Sequence, residues 1–169
     1  SSWFAAALCM TYRFAIAGAV MLILCWPTLR RLTRSEVWEG AGLGAFASLG
    51  LILQMDGLAY TEASTSAFLT QCYCLIIPLW LALLERRWPS PTVLVCCGLV
   101  VAGVGVLSEI DLRTFRLGRG EVETVMASVV FTGQILWLQR PKFAGNNVHH
   151  FTLVMFATVA LCCAPVAWL

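Results

Sequence analysis

The sequence predicts an all-α protein, a polytopic bundle of transmembrane helices, on three observations. Of its 169 residues 60% are hydrophobic and only 12% charged, with a mean hydropathy of +0.83. Soluble domains run nearer roughly 45–50% apolar and about 25% charged, and a chain of this size cannot hide so much apolar surface from water. The apolar residues also arrive in unbroken blocks of about 20, the length that carries a helix across a bilayer.

Six blocks can be taken in order. The first covers 5–27 and is interrupted by Arg13. The second covers 37–60, with Asp56 near its end, and the third 63–84. The fourth covers 91–107, the fifth 122–138, and the sixth begins near 148 and is still apolar at 169. Short polar breaks separate them. Pro89 and Pro91 flank one break, and Pro91 suits the first position of a helix. Gly118 and Gly120 break the chain before the fifth block, and Asn146 or Asn147 can cap the sixth. Backbone groups in lipid must be satisfied within the chain, and no ten-residue alternating segments mark a membrane barrel, so the blocks are helices. The chain opens at Ser1 without an initiator Met and stops inside an apolar run, so it reads as part of a longer protein.

The net charge of +2 leaves no basic footprint for nucleic acid. The placement of the charges says more. Alternate breaks carry Arg30, Arg31 and Arg34, then Arg86 and Arg87, then Arg140 and Lys142. The opposite side carries Arg113, Arg116 and Arg119 together with Glu109, Asp111, Glu121 and Glu123. The richer side faces the cytoplasm by the positive-inside rule, which suits a bacterial inner membrane.

The third block is the most informative. Ser64, Ala67, Gln71, Cys74 and Pro78 recur at helical spacing and make a stripe of small or polar residues. Such a stripe serves helix packing or lines a cavity, and Pro78 kinks the helix. In the second block Gly40, Gly44, Ala47 and Gln54 share a face, with Gly40 and Gly44 in close-packing register. Arg13 and Asp56 are ionisable groups inside spans, costly in lipid, and are expected to pair at similar depth. Glu123 and Gln134 share a face of the fifth helix. The fourth, with Gly98, Ala102, Gly103 and Gly105, reads as tight packing. The seven tryptophans gather near block ends as interfacial anchors, with Trp80 and Trp137 placed deeper.

Catalytic and metal chemistry find no foothold. The eight cysteines lie inside apolar runs without a C-x-x-C pair and read as small packing residues. His149 and His150 are adjacent, lack H-E-x-x-H spacing, and read as interfacial. No G-x-S-x-G, P-loop or dinucleotide fingerprint occurs. The expectation is no enzyme, no cofactor and no metal. Substrate-contacting candidates are the cavity-facing Gln54, Gln71, Tyr73 and Gln134. The partners are a lipid bilayer, a small solute, and a candidate coupling ion or proton.

One series of residues resembles a known family. Tyr12-Arg13-Phe14 opens a helix, and Gly57-Leu58-Ala59-Tyr60-Thr61-Glu62-Ala63-Ser64 leads into Ala67-Phe68-Leu69. Pro78-Leu79 follows in mid-helix, then Leu84-Glu85-Arg86-Arg87, and Gly103-Val104-Gly105-Val106-Leu107. Their order and spacing resemble the EamA-type transporters of the drug/metabolite transporter superfamily, best over 5–105. The resemblance implies ten helices in two inverted five-helix repeats. On that pattern 1–110 holds helices two to five, 111–120 an external linker, and 121–169 the start of the second repeat. A faint internal echo agrees: Phe14, Leu24 and Cys25 match Phe151, Leu161 and Cys162 at one offset. The implied function is a permease for a small metabolite or drug-like solute, working by alternating access. The alternative is a non-transporting membrane scaffold or assembly subunit.

Overall fold

The computed structural model describes residues 2–86, 88–107 and 118–166. Among the described residues seven α-helices follow one another: α1 (Ser2–Cys25), α2 (Arg34–Leu58), α3 (Ala63–Thr70), α4 (Tyr73–Glu85), α5 (Pro91–Leu107), α6 (Arg119–Leu138) and α7 (Val148–Val166). Two 3-10 turns, Trp26–Arg31 and Pro141–Phe143, join α1 to α2 and α6 to α7. No strand occurs among the described residues. The expected linker 111–120 lies mostly outside the described residues, as do Arg87, Glu109, Asp111, Arg113, Arg116 and Trp168.

Four stretches are long and apolar enough to cross a membrane: Ala7–Arg31, Arg34–Leu58, Ala63–Leu84 and Val148–Pro165. The helix over Pro91–Val106 is apolar but shorter, and α6, with Arg119, Glu121 and Glu123 in its first turns, is not among the four. The distribution of side chains is the reverse of a soluble protein's. Ile16, Val20, Ile23, Leu24, Leu83 and Val106 are exposed, while Glu36, Glu39, Asp56, Thr124, Ser128 and His150 are buried. Exposed aliphatics and buried polar groups suit a solvent of lipid, in which polar groups must find partners inside the protein.

The chain packs as two compact units, 1–52 with 133–169, and 53–132. In the first, α1 packs on α7, with the Phe14 and Phe156 rings 5.6 Å apart. The Gly40–Gly44 register draws α2 against α7. A Cβ at Gly40 would stand 2.5 Å from the Phe151 carbonyl oxygen, and one at Gly44 2.5 Å from Thr158 Cβ. Gly42 makes room for the Trp137 indole, which donates Nε1–H to the Glu39 carbonyl at 3.3 Å. The Trp137 N–H thus has a partner inside this unit.

The second unit differs from the sequence reading at two points. The third block is not one kinked helix. It breaks at Gln71–Cys72, between α3 and α4, upstream of Pro78. There the ladder tightens, with Cys72 N–H on the Leu69 carbonyl and Leu75 N–H on the Cys72 carbonyl, at 3.1 and 3.0 Å. Pro78 adds its own defect within α4. It has no N–H for the Cys74 carbonyl, and the Cys97 thiol of α5 donates to that oxygen at 3.2 Å. The second difference is in α5. Gly98 and Gly103 face open space rather than a tight contact, and only Gly105 approaches a neighbour, Phe68, with a Cβ distance of 3.4 Å.

Candidate functional site

The polar residues singled out from the sequence fall into the two units. Gln54, Gln71 and Tyr73 belong to the second, Gln134 to the first. Gln54, toward the end of α2, donates Nε2–H to Thr70 Oγ1 at 3.1 Å, and Thr70 passes its own proton to the Ser66 carbonyl at 2.8 Å. Gln71 sits at the C-terminal cap of α3, where the helix stops, and its Oε1 accepts the Cys74 thiol at 3.9 Å. Tyr73 opens α4 and is half-buried, as are Gln54, Gln71 and Gln134. The polar groups of α3 therefore gather at a break in a membrane-length segment.

Serine and threonine extend this group onto α6. Thr124, Ser128 and Thr132 recur every fourth residue and are buried. Each returns its proton to a carbonyl of its own helix, Thr124 to Gly120, Ser128 to Val125 and Thr132 to Ser128. Thr124 Oγ1 also lies 3.4 Å from Ser66 Oγ. Hydroxyls satisfied locally can be buried against another helix at little expense. The spacing of four was the signal for this stripe, and it went unread because Glu123 and Gln134 drew the eye.

A charged cluster stands where α2 ends and α6 begins. Gly57 and Gly120 let the two backbones meet, a Cβ on Gly120 standing 2.6 Å from the Gly57 carbonyl oxygen. Asp56, fully buried, takes the Arg119 guanidinium at 2.7 Å. Arg119 also reaches Glu123 Oε1 at 2.7 Å and Tyr60 Oη at 3.2 Å, and lies over the Tyr60 ring. Glu123 Oε2 has no partner among the described residues. Among the described residues Asp56 is bonded to Arg119, where the sequence reading expected Arg13; Arg13 is an exposed residue of α1. The glycine pair is the reason, because it brings the start of α6 within a side chain's reach of Asp56. Beside this cluster Glu121 accepts Thr61 Oγ1–H at 2.5 Å and the Gly118 N–H at 2.8 Å, which hold its carboxyl below the ordinary 4.5.

The first unit holds a polar cluster missed by sequence reasoning. His150 is buried within the unit, with Nδ1 3.0 Å from Glu36 Oε2. Glu39 is buried one turn further along α2 and accepts Asn146 Nδ2–H at 2.7 Å. Only the Thr33-x-x-Glu36 spacing, a helix-start signature, hinted at Glu36. No group of three or more metal-ligating side chains suited to an ion occurs among the described residues.

Clefts among the described residues include three. One of about 480 Å³ lies between α1 and α7 and is apolar, lined by Phe14, Gly18, Leu22 and Leu153 among others. One of about 370 Å³ lies at the end of α4 near Trp88, and one of about 410 Å³ is edged by Arg34, Ser35, Trp38 and Lys142. None of the three is lined by Gln54, Gln71, Tyr73 or Gln134.

Compared with known proteins, the chain matches the model of the EamA-like transporter family over residues 4–109, more than half its length. No curated protein and no solved structure matches it. The match covers the glycine-rich α2, the interrupted third segment and α5, and agrees with helices that are apolar outside and polar within. The chain therefore belongs to the EamA-like transporter family, whose members are membrane transporters rather than enzymes.

Proposed function

We propose that this chain is the central part of a secondary transporter that moves a small neutral, zwitterionic or amphipathic solute by alternating access. The observation that carries the reading is the interruption of a membrane-length segment at Gln71–Cys72, beside the Gln54–Thr70 hydrogen bond. An irregular turn within a spanning segment is tolerated where it is enclosed by protein or lines a water-filled passage, and transporters use interrupted helices at their substrate sites. Gln54, Gln71, Tyr73 and Gln134 offer hydrogen-bonding groups without charge, which suits a solute without a net charge to neutralise. On this reading 1–110 and 121–169 belong to successive inverted repeats joined by 111–120. The Arg30, Arg86 and Arg140 loops then face the cytoplasm of a bacterial inner membrane.

The test is transport by the full-length protein in proteoliposomes loaded with candidate solutes, together with cysteine scanning in a background cleared of the native thiols. Gln71→Cys in the second unit and Gln134→Cys in the first should each react with a membrane-impermeant reagent, because each would meet water. If neither reacts from either side, and deletion of the gene changes neither uptake nor efflux of any solute, the transporter reading fails. A membrane scaffold is then the better description.

A further inference from the structure

At the start of α2, Thr33 N–H donates to Glu36 Oε2 at 2.8 Å and Glu36 N–H donates to Thr33 Oγ1 at 3.2 Å. This is a reciprocal helix cap, and a capping carboxylate ordinarily stands in water. Glu36 is instead only 5% exposed. Its carboxylate also receives the Asn147 N–H on Oε1 at 2.9 Å and lies 3.0 Å from His150 Nδ1. One side chain thus ties together the turn before α2, α2 itself and the start of α7.

Hydrogen accounting defines what the imidazole can do. Backbone N–H groups can only donate, so the carboxylate acts as an acceptor and His150 Nδ1 carries a proton toward it. The other ring nitrogen, Nε2, lies 3.1 Å from Thr28 Oγ1, which is itself 3.1 Å from the Cys25 carbonyl oxygen. A hydroxyl has one proton to give. With a neutral ring, Thr28 turns that proton onto Nε2. With a second proton on the ring, Nε2 donates to Thr28, and the hydroxyl turns to the Cys25 carbonyl. Both states keep the ring fully hydrogen-bonded, and they differ by one proton and one rotated hydroxyl.

The charged and titratable groups around the ring come from three elements. On α2 these are Glu36, in contact, and Glu39, buried one turn on and bonded to Asn146. From α1 comes the buried Cys25, whose thiol donates to the His149 carbonyl at 3.7 Å. His149 on α7 is exposed. Arg30, Arg31, Arg34 and Lys142, on the neighbouring turns and at the start of α2, are also exposed, and among the described residues none forms an ion pair with Glu36, Glu39 or His150.

We infer that His150, with Glu36 and Thr28, is a proton-binding site, and that the charge on the ring sets how tightly α7 is held to α2 and to the turn after α1. Proton coupling of transport is its consequence and rests on the transporter reading; the proton site itself does not. Cys25 is a native reporter, because it is buried against the same corner. In the full-length protein its alkylation by a small maleimide is read peptide by peptide and divided by that of the exposed Cys162, which cancels the general effect of pH on thiols.

The ratio should fall roughly fivefold between about pH 8 and pH 5, as expected for about 1 kcal/mol of added tie. His150→Gln should flatten this response, and Thr28→Val, which leaves the carboxylate and imidazole in place, should blunt it. A flat wild-type ratio overturns the proposal, as does a response that persists in His150→Gln. A labelling switch in protein that moves no solute supports the proton site and sinks the transport reading alone. Solute uptake with a flat labelling profile does the reverse.

Discussion

Arg119 reaches the carboxylate of Asp56 at 2.7 Å although the two stand in different surroundings, Asp56 sealed from solvent and the Arg119 side chain half exposed. The burdens of the pair are therefore unequal. Removing the guanidinium takes a charged hydrogen-bond partner from a carboxylate in the interior, whereas removing the carboxylate leaves an arginine that can turn to water.

Arg119→Gln should accordingly lower the melting temperature of the detergent-solubilised protein more than Asp56→Asn, and the double variant should recover most of the difference. Arg119→Lys should fall between wild type and Arg119→Gln, because one ammonium cannot serve Asp56, Glu123 and Tyr60 with the geometry of a guanidinium. Equal losses for Arg119→Gln and Asp56→Asn would show that the asymmetry of burial does not govern the pair.

The glycines divide into two kinds with opposite expected effects. Gly40 and Gly44 stand where a methyl group would collide with α7, against the Phe151 and Met155 carbonyls among others. Gly40→Ala or Gly44→Ala should destabilise by about 1–3 kcal/mol, the usual loss from overpacking. Gly98 faces open space on α5. Gly98→Ala should stabilise by roughly 0.5–1 kcal/mol, because the unfolded chain loses freedom and nothing is displaced. Denaturation in mixed micelles measures both, and a loss at Gly98 as large as at Gly40 would contradict the packing described.

These cases show how far the sequence could be read. Helix type and the placement of the six apolar blocks were legible because apolar blocks separated by polar breaks leave few alternatives in lipid, though one block divides into α3 and α4. Close packing at Gly40 and Gly44 was legible from spacing, but the identity of α7 as the partner was not, since pattern on one helix does not name its neighbour. The break at Gln71–Cys72 was hidden because no glycine or proline marks it, and Pro78 took the attention. His150 and Glu36 are 114 residues apart, and their bond depends on tertiary packing alone. The sequence shows Arg119 only as one of the charges on its side for the same reason: the Gly57–Gly120 approach that carries it to Asp56 joins two segments distant in sequence.

Glu121 yields a pH dependence of definite sign. The Thr61 hydroxyl, chief among its partners, and the Gly118 N–H hold its carboxyl below the ordinary 4.5. A depressed value in the folded state means stability that is present above about 4.5 and lost as the pH falls through the folded value. Thr61→Val removes the main cause. The variant should be less stable than wild type near neutral pH, and the two melting curves should converge on acidification. A gap that stays constant down to the acid limit would show that the hydroxyl does not act through Glu121.

The Cys74 carbonyl offers the last test, and it concerns the interrupted segment itself. Pro78 deprives that oxygen of its helical donor, and Cys97 on the neighbouring α5 supplies a thiol at 3.2 Å. The two residues are thus linked: the thiol matters because the proline is there. Cys97→Ala should destabilise by about 1 kcal/mol, near the net worth of one hydrogen bond, while Cys97→Ser, which keeps a donor, should lose less. Pro78→Ala restores an N–H within α4, so in that background Cys97→Ala should become nearly neutral. The double-mutant cycle should then give a coupling of roughly 0.5–1.5 kcal/mol. Strict additivity would mean that Cys97 and Pro78 act separately, and that the thiol packs against α4 without serving the carbonyl the proline exposes.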